Sequence, residues 1–270
     1  KYDQLLVPDF LYGAMENAGA ITFAEARYGV ANMTAEQKQS LTEVIMHEMA
    51  HQWFGNLVTM KWWNGLWLNE SFASFMGVLA TVESTEFKDS WQKFYQSGKQ
   101  RAYIQDQTAS THPIEVPVPT TANAFDNIDA ITYAKGASTL KQLRHLLGEE
   151  TFRKGVHNYL VKYQFQNAQL DDFIGSLGEA AGRDLSQWTQ QWLYRPGVNT
   201  IAANYSCKGG KIDAFTLAQT APQANPVLRE QRVQVALMRT QGRTLALDRK
   251  VAVTYQGATT AVPELVGAAC

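Results

Sequence analysis

The first positions of the chain alternate apolar and polar residues from Lys1 to Leu11, as a strand does. Extended chain continues from Asp9 to Phe23, punctuated by Gly13 and Gly19. The pattern then changes to a helical one. Thr34 suits an N-cap and Gln37 stands three residues on, as in a capping box. Leu41, Val44, Ile45, Met49 and Trp53 carry the helix to Phe54, and Gly55-Asn56 stops it. Leu57 to Trp63 is β-branched and aromatic, and Asn64-Gly65 makes a turn. A strongly apolar second helix is predicted from about Leu68 to Val82.

Helices continue between Glu86 and Trp192, around an irregular stretch from Thr108 to Asp129 in which Pro113, Pro117 and Pro119 exclude continuous helix. Lys135 to Leu147 is amphipathic, with Leu140, Leu143 and Leu147 on one face and Gly148 as its stop. Arg195-Pro196-Gly197 breaks the helical region. Beyond Asn199 come short alternating runs: Thr200–Cys207, Lys211–Gln219, Arg232–Met238, Thr244–Leu247 and Val251–Tyr255. Only Tyr205, Phe215 and Tyr255 are aromatic after position 200. Two parts are therefore expected, with an α+β fold overall. Residues 1–198 are mostly helical after an N-terminal strand segment, and residues 199–270 form a small all-β, sandwich-like module.

Composition changes this picture little. A formal charge of -1 over 270 residues, with lysines and arginines scattered, gives no reason to expect nucleic acid as a partner. The longest apolar run, Phe72 to Val82, is too short for a membrane span and is interrupted by Ser74 and Gly77. Cys207 and Cys270 are the only cysteines, too few for a disulfide framework or a structural zinc site. They favour a reducing compartment, and a cytoplasmic location is expected. No signal peptide opens the chain, and a beginning inside a strand suggests a start in mid-protein.

The candidate chemistry lies in the capped helix. His47-Glu48-Met49-Ala50-His51 puts two imidazoles one turn apart on one face, with Cβ atoms about 5–6 Å apart, so that both can reach one zinc ion. Glu48 points about 100° away from His47 and can reach a water instead. Chance yields this pattern in roughly one chain of this length in a hundred, so a third ligand has to be found. Phe54 and Leu57 occupy the positions where a third histidine would follow in an extended motif. Glu43 sits on the same helix and would point along its axis, while Glu83 and Glu86 lie at the far end of the next one. Glu70, near the start of that second helix, is the best placed carboxylate, leaving a fourth position open as catalytic zinc requires.

The run HEMAHQWFGNLVTMKWWNGLWLNESFA, with eighteen residues between the second histidine and the glutamate, resembles the gluzincin aminopeptidase family, the relatives of aminopeptidase N and leukotriene A4 hydrolase. Gly13-Ala14-Met15-Glu16-Asn17 is similar to that family's GxMEN exopeptidase signature. Ile131-Thr132-Tyr133-Ala134-Lys135-Gly136-Ala137 is similar to the segment that carries its catalytic tyrosine. The resemblance implies a thermolysin-like catalytic domain with one zinc per chain, held by His47, His51 and Glu70. Glu48 is then the general base, and Tyr133 stabilises the oxyanion. It also implies that Glu16 anchors the free amine of a peptide, with Gly13, Ala14, Met15 and Asn17 forming the surrounding substrate-binding backbone. Many members have a carboxylate where Gly77 stands, so a backbone carbonyl or another acid is expected to orient a ligand histidine here. Members also carry a β domain before this region and often a helical domain after it, both expected to be missing. A fragment so opened to water is expected to be a poor enzyme.

An epoxide hydrolase resembling leukotriene A4 hydrolase, and a non-catalytic scaffold on the same fold, are alternatives. A thermolysin-type endopeptidase would lack an amine anchor. His112, His145 and His157 lack metal spacing, and Trp53, Trp62, Trp63 and Trp67 are expected to pack the helix pair.

Overall fold

The computed structural model describes residues 2–270, so Lys1 of the expected opening strand lies outside the described residues. That strand is short: β1 covers Gln4–Val7. Pro8 brings no N–H to a ladder, and Asp9 takes a φ of 52°, which turns the chain out of the sheet. β2 (Ala14–Met15) and β3 (Ile21–Ala24) complete a three-stranded sheet in the order β1-β3-β2. β3 runs parallel to β1 and antiparallel to β2, and it buries Ile21, Phe23 and Ala24. The single turn α1 (Glu25–Tyr28) follows.

α2 spans Ala35–Ala50 and starts with the expected capping box: Gln37 N donates to Thr34 Oγ1 (3.2 Å), and Thr34 N donates to Gln37 Oε1 (2.8 Å). The regular helix ends four residues before Phe54, and His51–Phe54 continue as tight turns. Gly55 then reverses the chain at a φ of 127°, where a Cβ would also lie 2.7 Å from Asn69 Oδ1. Glycine is needed there on both counts. β4 (Val58–Met60) leads through a short turn to α3 (Leu66–Ser84), which packs along α2. At Gly77 the two helices come so close that a Cβ would meet Glu43 O at 3.1 Å and His47 N at 3.2 Å.

Then come α4 (Ser90–Phe94), α5 (Gln100–Gln105) and the short α6 (Thr121–Ala124) within the proline-rich stretch. A five-residue π-turn, Ile131–Lys135, opens into α7 (Gly136–Leu147). α8 (Glu149–Tyr163), β5 (Gln166–Ala168), α9 (Leu170–Ala181) and α10 (Ser186–Trp192) follow, with β5 parallel to β4. Phe72, Phe75, Leu140, Leu143, Phe173 and Leu177 form the centre of one core. Of the four tryptophans expected in that packing only Trp67 is fully buried. Trp53 and Trp62 are exposed, because α2 stops before Trp53 and Trp62 reaches out to donate to Val118 O.

The last quarter is β6 (Thr200–Lys208), β7 (Lys211–Thr220), β8 (Gln231–Gln241), β9 (Thr244–Tyr255) and β10 (Thr259–Ala261). β10, β7 and β6 form one sheet, and β8 pairs with β9. Both sheets contribute to a second core around Ile212, Phe215, Leu217, Val253 and Tyr255. The runs Thr244–Leu247 and Val251–Tyr255, expected as two strands, are one. β8 stays paired alongside through a single irregularity at Leu237/Met238.

Arg229, 2% exposed, fastens this region to the helices by donating to Gln191 O (2.8 Å), Arg195 O (3.1 Å), Pro196 O (2.9 Å) and the side chain of Asn199. Cys207 and Cys270, read from the sequence as too few for a disulfide framework and as favouring a reducing compartment, are joined as a disulfide with Cα atoms 6.2 Å apart. The register of β6 and β7 and the hydrogen bond from Cys270 N to Gly210 O bring these two distant positions together. The thiol-based support for a reducing compartment is thereby removed.

Candidate metal centre and substrate site

The capping box fixes the start of α2, and its regular 3.6-residue turn then sets His47 and His51 on the face toward α3. The close crossing at Gly77 lets Glu70, one turn into α3, reach them. His47 Nε2 and His51 Nε2 are 3.1 Å apart, and Glu70 Oε2 lies 3.3 Å from the first and 3.6 Å from the second. Ligands about 2.05 Å from a tetrahedral zinc stand about 3.3 Å from one another along each edge. The triangle has that size, and two imidazoles with one carboxylate are a donor set zinc favours. Glu70 Oε2 is buried and has no well-directed hydrogen bond among the described residues, as an atom facing a cation would be.

His51 is 1% exposed, and its Nδ1 lies 3.0 Å from Phe54 O. With that nitrogen donating to the carbonyl, Nε2 is the atom that would offer its lone pair inward once a cation took the place of its proton. This backbone carbonyl fills the orienting part expected once Gly77 replaced a carboxylate. Gly77 itself serves the helix crossing, where a Cβ would sit tightly against the backbone of Glu43 and His47.

Electrostatics follow from the burial. Burial alone would raise the Glu70 carboxyl, but the His47 and His51 rings beside it outweigh this and hold it below the usual carboxylate range. Burial would lower His51, yet Glu70 outweighs it and pushes the imidazole up to about 9. Burial pushes Glu48 up to about 8, opposed by His51 and assisted by Glu16 and Glu70. Glu48 is 5% exposed, and its Oε2 is buried with no hydrogen-bond partner among the described residues. Its carboxylate falls outside the His47–His51–Glu70 triangle. It groups with Glu16 and His51, each offering an atom within 4.8 Å of the others.

Glu16 arrives from the edge of the first sheet. Ala14 and Met15 pair with Phe23 and Thr22 on one side only, so β2 is an edge among the described strands. Gly13 O accepts from Ala24 N (2.9 Å), and Asn56 Nδ2 donates to Glu16 O (2.9 Å). These bonds point the Glu16 carboxylate inward, with Oε1 4.0 Å from His51 Nδ1. Asn17 is exposed, and its amide donates to Thr22 Oγ1.

Tyr133 reaches the site from the π-turn. Burial pushes its hydroxyl well above the ordinary phenol range, and the charges of Glu70, Glu16 and Glu48 add to this, so it stays protonated. Ser71, next to Glu70, donates to Thr132 O at 2.6 Å and ties α3 to the turn. Gly136 allows this approach, since a Cβ there would overlap Ser71. Lys135 pairs with the buried Asp106 (2.7 Å), and Asp106 also accepts from Gly197 N (2.8 Å). Asn56, Ser71, Asp106 and Asp129 were not singled out from the sequence. Asn56, Ser71 and Asp129 bind backbone groups, and Asp106 joins the Lys135 side chain to Gly197 N. His145 and His157 join no metal-type cluster among the described residues.

Of the ten residues that the sequence motifs single out, His47, Glu48, His51, Glu70, Glu16 and Tyr133 come together in one neighbourhood, Gly13, Ala14 and Met15 pair through their backbone beside it, and Asn17 faces outward. Residues 1–192 match the model for the peptidase family M1 domain. Aminopeptidase N of Streptomyces lividans is 42% identical over 100% of this chain and 33% of its own length. A leucyl aminopeptidase of Saccharolobus solfataricus is 43% identical over 77% of this chain and 27% of its own length. The mitochondrial aminopeptidase 2 of Saccharomyces cerevisiae is 40% identical over 77% of this chain and 22% of its own. The chain thus spans about a third or less of these curated relatives, and it belongs to peptidase family M1.

Proposed function

We propose that this chain carries the catalytic centre of a zinc aminopeptidase that removes N-terminal residues from peptides. The observation that carries the reading is a zinc-sized triangle of His47, His51 and Glu70 beside an inward carboxylate, Glu16, on an open strand edge. His47, His51 and Glu70 would hold the metal, which supplies Lewis acidity to the scissile carbonyl and to the attacking water. Family M1 is zinc-dependent, which supports the choice of metal.

Glu48 accepts the proton of the attacking water and returns it to the leaving amine. Its high proton affinity in the metal-free protein falls when a cation sits in the adjacent triangle. Tyr133 keeps its proton, and its hydroxyl donates to the oxygen that becomes negative in the transition state. Glu16, with Glu48 close by, binds the substrate ammonium. The free edge of β2 accepts an extended peptide as an added strand, in register for its first bond only.

The same reading assigns residues 1–198 to a thermolysin-like catalytic domain and 199–270 to a β-sandwich-like module. The names of the relatives support an aminopeptidase over an endopeptidase. A cytoplasmic location finds no support in the Cys207–Cys270 pair, which is a feature of oxidising compartments. The test measures bound zinc per chain and the hydrolysis of an aminoacyl amide, free and N-acetylated. One zinc and cleavage of the free form alone is expected; equal cleavage of both would overturn the exopeptidase reading.

A further inference from the structure

The turn that carries Tyr133 has an unusual support. Ile131–Lys135 is a π-turn, a wide and less stable relative of the helical turn that tends to occur at functional sites. Its first amides have no partners within the helix that follows. Asp129 satisfies them: its Oδ1 accepts from Ile131 N (2.9 Å) and Thr132 N (3.1 Å), and its backbone oxygen accepts from Tyr133 N (3.1 Å). All three amides that lead to the Tyr133 side chain end on one residue.

Asp129 is fixed in turn from outside the turn. Its Oδ2 accepts from His112 Nε2 (2.9 Å) and from the Gln105 amide, and Gln105 Oε1 accepts from Ala130 N (3.2 Å). His112 Nδ1 lies 2.7 Å from Pro113 O. Both ring nitrogens therefore face pure acceptors, a carboxylate and a carbonyl. Only the imidazolium can donate to both at once. His112 and Asp129, each 17% exposed, form a charge-assisted pair of the stronger kind. The charged neighbour on the other side of the turn is Lys135, engaged with Asp106.

We propose that His112 and Asp129 are positioning residues that hold the Tyr133 hydroxyl in its catalytic place through the backbone of the turn. The proposal rests on the aminopeptidase reading of Tyr133 given above. Neither residue touches the site. The pair acts by fixing where the turn begins, while Ser71 and Gly136 fix its far side against α3. A hydroxyl displaced by about 1 Å can lose on the order of 10²-fold in rate, so a loosened turn reads out in kcat.

The experiment uses the zinc-loaded chain with Asp129→Ala, Asp129→Asn and His112→Gln, each alone and combined with Tyr133→Phe. Asp129→Ala is expected to lower kcat about tenfold or more, with KM changed less than about twofold and zinc content unchanged. Asp129→Asn keeps an acceptor for the two amides and is expected to recover most of that loss. His112→Gln, which leaves Asp129 to hold the turn alone, serves should Asp129→Ala not fold, and is expected to lower kcat by a smaller factor. In the Tyr133→Phe background none of the three should cost anything more. Amide exchange at 131–133 should quicken in Asp129→Ala and return in Asp129→Asn. Additive losses in the double variants, or unchanged exchange at these amides, would overturn the positioning role. A zinc-loaded wild-type chain that cleaves no aminoacyl amide would overturn the functional reading, and the catalytic role of the pair with it.

Discussion

The Tyr133 ring lies parallel to the His47 imidazole, with centroids 6.1 Å apart and planes 11° apart. The tyrosine is thus placed against a proposed metal ligand and not in the hydrophobic core, although its ring is largely buried. Tyr133→Phe keeps that stacking and removes only the hydroxyl. The expected result is a fall in kcat of roughly 10²–10³ with KM little changed, as for a lost oxyanion donor. Zinc content measured on the same sample should stay at the wild-type level. A change confined to KM would assign the hydroxyl to ground-state binding.

Glu48→Gln should keep the metal and lose turnover. The side chain stays the same size in a pocket where Glu48 is 5% exposed, and the ligand triangle does not include it. Loss of acid–base function is expected to lower kcat on the order of 10²–10⁴-fold. Zinc analysis alongside single-turnover kinetics separates this from simple metal loss. Wild-type turnover at full metal occupancy would remove Glu48 from the mechanism.

Glu16→Ala tests the amine anchor by comparison between substrates. Peptides with a free N-terminus should lose kcat/KM by on the order of tenfold or more, the range for a lost charge-assisted contact. The binding of N-acetylated peptides, measured as competitive inhibition, should not move. If both fall equally, Glu16 is acting on the metal site through His51, 4.0 Å away, and not on the amine.

The parts of this site that a sequence can state are those set by spacing along a helix. His47 and His51 share a face because four residues make one turn, and the box at Thr34 marks where that turn count begins. Glu70 needed one more inference, that the next helix lies alongside. Gly77 held the geometric reason for this in plain view, but its meaning depends on Glu43 and His47 backbone atoms across the crossing. Tyr133 and Glu16 were legible through family motifs, since nothing in their local pattern distinguishes them from packing or edge residues. Asp129 lies two and three residues before the amides it caps and was passed over as part of the irregular stretch. Most of what stayed hidden depends instead on contacts between residues far apart in the chain, Asn56 on Glu16 O and Asp106 joining Lys135 to Gly197. The pairing of Cys207 with Cys270 was missed for the same reason. The count of two cysteines was read correctly, and their proximity is set by the strand pairing.

That disulfide should be present in protein purified without reductant. Denatured, unreduced protein should then titrate with no free thiol, and reduction should release two. Reduction is also expected to lower the stability of the strand-rich region by about 2–4 kcal/mol, given the 63-residue separation that it closes. Two thiols found before reduction would show that the pair does not form under those conditions.

The His112–Asp129 pair should make stability depend on pH in a defined window. The hydrogen bond with Asp129 raises His112 above its ordinary value, against the opposing effects of burial and Lys135. A raised histidine adds stability that is complete below its unfolded pKa of about 6.5 and is lost as pH rises through the higher folded value. Burial would raise Asp129, but the His112 hydrogen bond and the Thr132 and Ile131 amides outweigh it and lower its carboxyl. A lowered aspartate adds stability above its unfolded pKa of about 3.9, which is lost as pH falls through the folded value. The two contributions overlap between about pH 4 and 6.5, so the stability difference between wild type and His112→Asn should be greatest there. Urea midpoints at constant slope, measured from pH 4 to 9, give that difference directly. It should shrink on the alkaline side, once His112 can donate to only one of its two acceptors. A difference that is flat across this range would mean that His112 is not charged in the folded protein, and that a neutral hydrogen bond holds Asp129.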